Sequence, residues 1–296
     1  MRDMTAASSS PLATLPRNLV LAAVRGALDE DLGLSGDITT DATVSAHARS
    51  DAVIAARKPG IVSGLALAEA AFRELDADCD FTVLIEDGSA AAAGDTIARI
   101  SGSSRAVLSA ERVALNFMGR MCGIATLTRR YVDAVAGTSA QIVDTRKTTP
   151  GLRAFEKYAV RCGGGHNHRF GLFDAVLIKD NHIVAAGSIE AAIKSAKAVA
   201  GHMTKIEVEV DTLEQLEIVM RENVDCVLLD NMGPDELRKA VRMVAGRCLT
   251  EASGSVNLDT VRAIAETGVN MISVGALTHS APVLDLGLDF IAADKA

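Results

Sequence analysis

Tryptophan is missing from the sequence, and only two tyrosines and seven phenylalanines occur in 296 residues, so the core cannot be built around large rings. It must be made from Ala, Val, Leu and Ile, which carry most of an apolar fraction of 49%, and helix-rich α/β packing is the natural outcome. No apolar run approaches the ~20 residues that a membrane helix needs. Residues 1–16 lack the hydrophobic centre of a signal peptide and are rich in Ser, Ala and Thr, so they read as a flexible leader. The five cysteines are odd in number, widely spaced and free of any CxxC pair. That argues against a disulfide framework or a cysteine zinc site and for reduced thiols in a cytoplasmic setting. Cys162, Cys226 and Cys248 read as small core fillers. Basic residues are also scarce, 30 against 38 acids, which leaves no broadly basic face for nucleic acid.

Against that acidic background one stretch stands apart. From 146 to 179 there are seven Lys or Arg (146, 147, 153, 157, 161, 169 and 179) and two acids (156 and 174), a local balance of +5 in a chain of −8. The stretch is framed by two apolar runs, 141–143 and 174–178, each reading as a buried strand that ends in charged residues: Asp144, Thr145, Arg146 and Lys147 after the first, Lys179 and Asp180 after the second. Taken singly, such residues are ordinarily solvated loop residues. The segment 161–169, RCGGGHNHR, packs three glycines among cations. Glycines let backbone N–H groups approach a ligand, and guanidinium forks match carboxylate or phosphate oxygens. A small polyanionic ligand is the expectation.

Elsewhere the chain alternates between helical and strand patterns. Residues 17–31 have helical apolar spacing and give way to a Gly33–Asp37 turn. Residues 52–57 and 81–86 read as strands, 65–75 as a helix between them, and 92–100 as a turn and a further strand. Residues 104–136 form a long helical stretch in which Gly119 and Gly123 are expected to introduce a kink or part it in two. Glu111 and Arg112 within it have the look of a surface pair. After residue 204 a regular alternation sets in: strands at 205–210, 226–230, 249–252 and 271–274, with helices at 213–222, 234–244 and 258–266. The strand-end residues Glu209, Asp230, Ser253 and Gly275 fall 21, 23 and 22 residues apart, the period of a βα repeat that builds a parallel sheet. With the two earlier strands, the sum is a (β/α) barrel, closed or open, whose site lies at the strand C-termini.

Those ends supply Arg146, Lys147 and Lys179, then the carboxylates Glu209 and Asp230, then the small residues of 253–255 and 275–276, suited to a phosphate. Glu207 and Glu209 lie two apart on one strand and share a face, where Mg²⁺, sugar hydroxyls or an ion pair with Lys179 or Lys147 would satisfy them. His166 and His168 form an HxH, but the later strand ends lack further histidines for a hydrolase metal site. Schiff-base chemistry at Lys147 or Lys179 fits less well than anion binding, because so dense a cationic cluster matches polyanions.

Several long motifs then identify a family. DTRKTTPGLR at 144–153, KYAVR at 157–161, GGGHNHR at 163–169, KDNH at 179–182, EVEV at 207–210, LDN at 229–231 and ERVALN at 111–116 closely resemble quinolinate phosphoribosyltransferases, and the likeness extends from EDLG at 30–33 to GALTHS at 275–280. The resemblance implies an N-terminal α/β sandwich over 17–115 joined by the tail 282–296, and an open TIM-like barrel of fewer than eight strands over 116–281. It implies transfer of phosphoribose from phosphoribosyl pyrophosphate to quinolinate with Mg²⁺, releasing pyrophosphate and CO₂ and giving nicotinate mononucleotide, in a cytoplasmic homodimer or larger homo-oligomer. Arg146, His168, Arg169, Lys179 and, from a neighbouring subunit, Arg112 would clamp the dicarboxylate. Thr145 would line the same site, and Lys147 would face the pyrophosphate. Glu209 and Asp230 would serve the ribose and Mg²⁺, directly or indirectly. Ser253, Gly254, Ser255, Ser273, Val274 and Gly275 would hold the 5′-phosphate. A related protein of molybdenum-utilisation clusters and a non-catalytic anion-binding protein are the rival readings.

Overall fold

The structure, a computed structural model, describes residues 12–291. Of these, the residues up to Gly119 together with those from Asp285 onward form one compact unit, and Arg120–Leu284 form a second. The leader expected over 1–16 lies mostly outside the described residues. Among the described residues no helix is long and apolar enough to cross a membrane.

The first unit opens with α1 (Arg17–Leu32), which buries Val20, Val24 and Leu28 on one stripe. The helix ends at Gly33, whose φ of 52° only glycine adopts cheaply. α2 (Ile38–Thr43) is capped by Asp37, which accepts from the Thr40 N–H at 2.9 Å. Next come β1 (Arg49–Ala56), β2 (Gly60–Ile61), α3 (Leu65–Leu75), β3 (Asp80–Val83), β4 (Ala90–Ala91) and β5 (Thr96–Ser103). β1 alternates in the strand manner, with Ala52, Ile54 and Ala56 fully buried. β3 stops at Val83, short of the expected residue 86. The N–H groups of Leu84 and Ile85 both turn to the Ile97 carbonyl, at 2.9 and 3.1 Å, and the ladder has no further acceptor to offer.

α4 (Ser104–Ala134) is a single helix of 31 residues, so the expected parting at its glycines does not occur. Gly123 has another purpose. A Cβ there would sit 2.0 Å from the Pro282 carbonyl oxygen, so the residue is glycine to admit a backbone, not to break a helix.

The second unit then follows the βα rhythm: β6 (Gln141–Val143), α5 (Arg153–Cys162), β7 (Val176–Ile178), α6 (Asp180–Ala186), α7 (Ile189–Val199), β8 (Ile206–Val210), α8 (Leu213–Val219), β9 (Cys226–Asp230), α9 (Pro234–Val244), β10 (Leu249–Ser253), α10 (Val261–Ala265), β11 (Met271–Ser273) and α11 (Ala276–His279). Its sheet is parallel, with order β6-β11-β10-β9-β8-β7. This is an open TIM-like barrel of six strands. α8 starts in a capping box of Thr212 and Gln215, and α9 starts with Pro234 in its first turn. α10 is shorter than the expected 258–266, because the Asn257 side chain takes the N–H groups of Asp259 and Thr260 at 2.9 and 3.1 Å and holds a turn there. After the barrel, β12 (Leu286–Phe290) pairs antiparallel with β1 and completes the sheet β12-β1-β5-β3.

The contact at Gly123 generates a test. Gly123→Ala gains up to about 1 kcal/mol of helix propensity but forces a carbon into a carbonyl, an overpacking cost of typically 1–3 kcal/mol or more. The melting temperature should fall. Gly26→Ala in α1, where a Cβ meets nothing within 4 Å, should leave it unchanged or raise it. A Gly123→Ala protein melting at or above the parent would show that the backbone approach is not tight.

Candidate active site

The C-terminal ends of the six barrel strands surround a cavity of about 790 Å³. The segment after β6 contributes Thr145, Arg146 and Lys147, and the loop after α5 contributes His168 and Arg169. Two buried charges on α5 hold these segments. Lys157, with none of its side chain exposed, pairs with the equally buried Asp144 and donates to the His168 carbonyl at 3.1 Å. Asp144 also accepts from the His168 N–H at 2.9 Å and from Asn167 Nδ2 at 2.6 Å. Burial pushes the Asp144 carboxyl up and the Lys157 ammonium down, each against the pull of the other. Glu156, its neighbour, accepts from the Thr149 N–H at 3.0 Å, from Thr149 Oγ1 at 2.8 Å and from Arg120 Nη2 at 2.8 Å.

Arg146 and Arg169 meet in the cavity. Burial, and then the nearby Arg146 charge, push the Arg169 pKa down, and the buried Nε atoms of both arginines have no hydrogen-bond partner. Two like charges lining one cavity call for an anion with oxygens at more than one place.

The carboxylates lie across from them in two layers. At the rim, Glu209 Oε2 is bonded to Lys179 Nζ, so the expected ion pair with Lys179 forms, and Asp230 Oδ2 accepts from Asn231 Nδ2 at 2.6 Å. Beneath the rim, Glu207 and Glu251 are buried. His168 Nε2 lies 2.9 Å from Glu207 Oε2 and 3.7 Å from Glu251 Oε1, while its Nδ1 accepts from the Arg169 N–H at 2.7 Å. Burial opposes charge on His168, but the two glutamates outweigh it and raise its pKa. Burial, reinforced by Glu207, pushes Glu251 up to about 8. The ligand atoms of His168, Glu207 and Glu251 all fall within 4.8 Å of one another. Glu207 Oε1 and Glu251 Oε1 are both buried without a hydrogen-bond partner. His166, the other half of the HxH, turns away to Arg161, 3.1 Å from its Nδ1.

The late strands close the cavity with small residues. Ser253, Gly254 and Ser255 line it after β10, and Ser273 and Gly275 after β11. Gly254 has φ +96°, and a Cβ on it would strike Asn231 Oδ1 at 2.1 Å, so glycine there admits the close approach of Asn231. Val274 does not line the cavity. It is 1% exposed, and its N–H is already given to the Val143 carbonyl at 2.9 Å, as strand pairing requires. Arg112 is not among the lining residues either. Its side chain is 64% exposed, with its Nη2 3.8 Å from Glu111.

The sequence reading missed Glu251, Asn231 and His279, which also line the cavity. Glu251 was within reach, since it precedes Ser253 by two on a strand and so shares its face, the rule that pairs Glu207 with Glu209. Asn231 sits at φ +55°, which the sequence signals only through the adjacent Asp230. The remaining lining residues are Leu177, Leu228, Val256 and Ala276, of which Leu177 and Leu228 are apolar strand residues, indistinguishable in sequence from core.

Comparison with known proteins bears on the whole chain. A family model described as "Quinolinate phosphoribosyl transferase, C-terminal domain" matches residues 124–289, and its N-terminal counterpart matches 37–122. A probable nicotinate-nucleotide pyrophosphorylase [carboxylating] of Bacillus subtilis (strain 168) is 45% identical over 260 residues, covering 88% of this chain and 89% of the relative. The nicotinate-nucleotide pyrophosphorylase [carboxylating] of Mycobacterium leprae (strain TN) is 45% identical over 271 residues, 90% of this chain and 95% of the relative. The solved structure of the nicotinate-nucleotide pyrophosphorylase from Francisella tularensis superposes with a TM-score of 0.88 at 37% identity, over 95% of this chain and 99% of that one. Two domain matches in the right order, and identity of this level across most of the length, place this chain in the quinolinate phosphoribosyltransferase family.

Proposed function

We propose that the chain transfers phosphoribose from phosphoribosyl pyrophosphate to quinolinate with loss of CO₂, giving nicotinate mononucleotide and pyrophosphate for NAD biosynthesis. The observation that carries this reading is the pair Arg146 and Arg169, which line one cavity close enough for the Arg146 charge to lower the Arg169 pKa. A pyridine dicarboxylate presents two anionic groups on adjacent ring carbons and fills such a pair. Lys179 reaches the same space from the other side, and His168 and Thr145 complete its wall. Lys147 faces the departing pyrophosphate. The small residues at 253–255, with Ser273 and Gly275, receive the 5′-phosphate. The carboxylating names of the relatives do not favour the molybdenum-related or non-catalytic alternatives.

In this arrangement the residues act by position and charge. The cations bring together two anions that repel each other and orient the ring nitrogen toward the anomeric carbon. As the bond to pyrophosphate lengthens, the ribose gains oxocarbenium character, which Glu209 and Asp230 face, and the leaving charge grows toward Lys147. No protein nucleophile is required. Once the nitrogen is alkylated, the bond from the ring carbon to the adjacent carboxylate breaks, CO₂ leaves, the electron pair stays on that carbon stabilised by the neighbouring positive nitrogen, and a proton from water takes the place of CO₂. Glu209 and Asp230 would also hold Mg²⁺, directly or through water. They fit it as hard oxygen donors at the cavity rim, each with one oxygen engaged by a neighbour. Mg²⁺ when bound would neutralise pyrophosphate charge. All five cysteines are free thiols, which agrees with a cytoplasmic enzyme.

Arg112 supports a further part of this reading. Mostly exposed and in loose contact with Glu111, it is available to a second copy of the chain, and we place it in the neighbouring subunit's site within a homodimer.

Three outcomes are expected. Nicotinate lacks the carboxylate beside the ring nitrogen and leaves guanidinium donors unpaired, so its kcat/KM should be lower by roughly 3 kcal/mol in transition-state terms. Equal kcat/KM for the two acids rejects the clamp. Glu209→Ala and Asp230→Ala should lower turnover on the order of 100-fold while calorimetry still detects quinolinate binding. A collapsed melting transition in both variants would make them structural ion-pair residues instead. Arg112→Ala and Arg169→Ala should each be nearly inactive, yet unfolding and refolding them together should restore part of the activity, since some mixed dimers hold one intact site. If mass spectrometry confirms subunit exchange and no activity returns, Arg112 does not act across an interface.

A further inference from the structure

Helix α5 places two consecutive charged residues, Glu156 and Lys157, with none of their side chains exposed. Consecutive helix positions point about 100° apart, and these two engage different segments of the cavity wall. Glu156 grips Thr149 through its N–H at 3.0 Å and its hydroxyl at 2.8 Å. Arg120, its partner at 2.8 Å, also donates to the Thr278 carbonyl. The Thr278 hydroxyl in turn donates to the Lys147 carbonyl at 2.7 Å. The chain Glu156, Arg120, Thr278 therefore fixes the backbone that carries Lys147 from two directions. Lys157 engages the other segment. With Asp144 it receives or supplies the polar contacts of His168 N and O, and Asn167 Nδ2 ties the same loop to Asp144 Oδ2 at 2.6 Å and to the Lys157 carbonyl at 2.9 Å.

Buried ion pairs are poor sources of stability, because desolvation offsets most of their attraction. Fold stability alone therefore gives little reason for two of them side by side. Their hydrogen bonds go to the backbone of the two segments that bear Lys147 and Arg169, and this points to geometry rather than stability.

We propose that α5 is a two-sided positioning strut. Glu156 sets the Lys147 segment for the phosphoribosyl donor, and Lys157, through Asp144 and Asn167, sets the His168–Arg169 segment for the pyridine dicarboxylate. These are positioning residues, acting through side chains they do not replace. The proposal rests on the assignment of substrates given above.

The test is a double dissociation in initial-rate kinetics with both substrates varied, using quinolinate and phosphoribosyl pyrophosphate. Asn167→Ala removes a tether and leaves both buried charges in place. It should raise the KM for quinolinate about 10- to 100-fold and leave that for phosphoribosyl pyrophosphate within a factor of about two. Glu156→Gln should raise the KM for phosphoribosyl pyrophosphate by that factor and the one for quinolinate by much less, since Arg146 rides on the same segment as Lys147. Should it fail to fold, Thr149→Val removes the hydroxyl at Glu156 without touching the charge and should shift the same constant in the same direction. Arg169→Lys, which keeps the charge, and Lys147→Ala serve as references for the two substrates. If the references separate the two constants but the α5-side variants move both together, or lower only the melting temperature, the strut is overturned. If the references themselves fail to separate them, the substrate assignment is wrong and the proposal falls with it.

Discussion

A lysine ammonium with no exposed surface must find its charge balanced within hydrogen-bond reach, and Lys157 finds this in Asp144, at the C-terminal end of β6. The pair does more than neutralise itself. Asp144 has further acceptor capacity, filled by the His168 N–H and the Asn167 amide, and Lys157 has further donors, one of which meets the His168 carbonyl. The glycine-rich loop is short of regular structure, yet it is held at both faces of one residue. Removing either member would strand the other in a dry interior, a cost of about 3–5 kcal/mol, and would free the loop that carries Arg169. Local order around the cavity thus depends on a charge pair outside it.

The same arithmetic of charge explains the cavity. Arg146 and Arg169 repel each other, and their buried Nε atoms lack partners, an arrangement that the rest of the barrel must hold in place. Such a state is tolerable only where a ligand restores the balance, and strain of this kind collects at functional sites. The rim pair of Lys179 and Glu209 differs. Lys179 is 46% exposed on its side chain, so water screens the attraction, and the pair is worth little as a stabiliser. It can open to a ligand at small cost, which a buried pair cannot.

Much of this was legible in the sequence, and for definite reasons. The spacing of Glu209, Asp230, Ser253 and Gly275 exposed the βα repeat, because a parallel strand, its helix and two loops take about the same length each time. The excess of cations between 146 and 179 marked the anion site, since charge that is so lopsided has no place in a core. What stayed hidden is the wiring. In the sequence Glu156 and Lys157 count only as members of the charged stretch, and nothing in their neighbours reveals that both are buried. Gly123 read as a helix breaker, whereas the contact that requires it is with Pro282, 159 positions later, and no local pattern carries such a distance. The family resemblance implies Val274 as a phosphate contact, but its amide belongs to the strand ladder.

The floor of the cavity shows why two carboxylates can lie beneath an anion site. Were Glu207 and Glu251 both ionised and unpaired, they would repel a dianion held just above them. Burial together with Glu207 pushes Glu251 up to about 8, so near neutral pH it keeps its proton and adds no negative charge. Glu207 Oε2 lies 2.9 Å from His168 Nε2, so the imidazole ring is held on one side by Glu207 and on the other by the Arg169 N–H. The carboxylates of the floor therefore act on the site by orienting His168, while the rim carboxylates Glu209 and Asp230 are left to present charge.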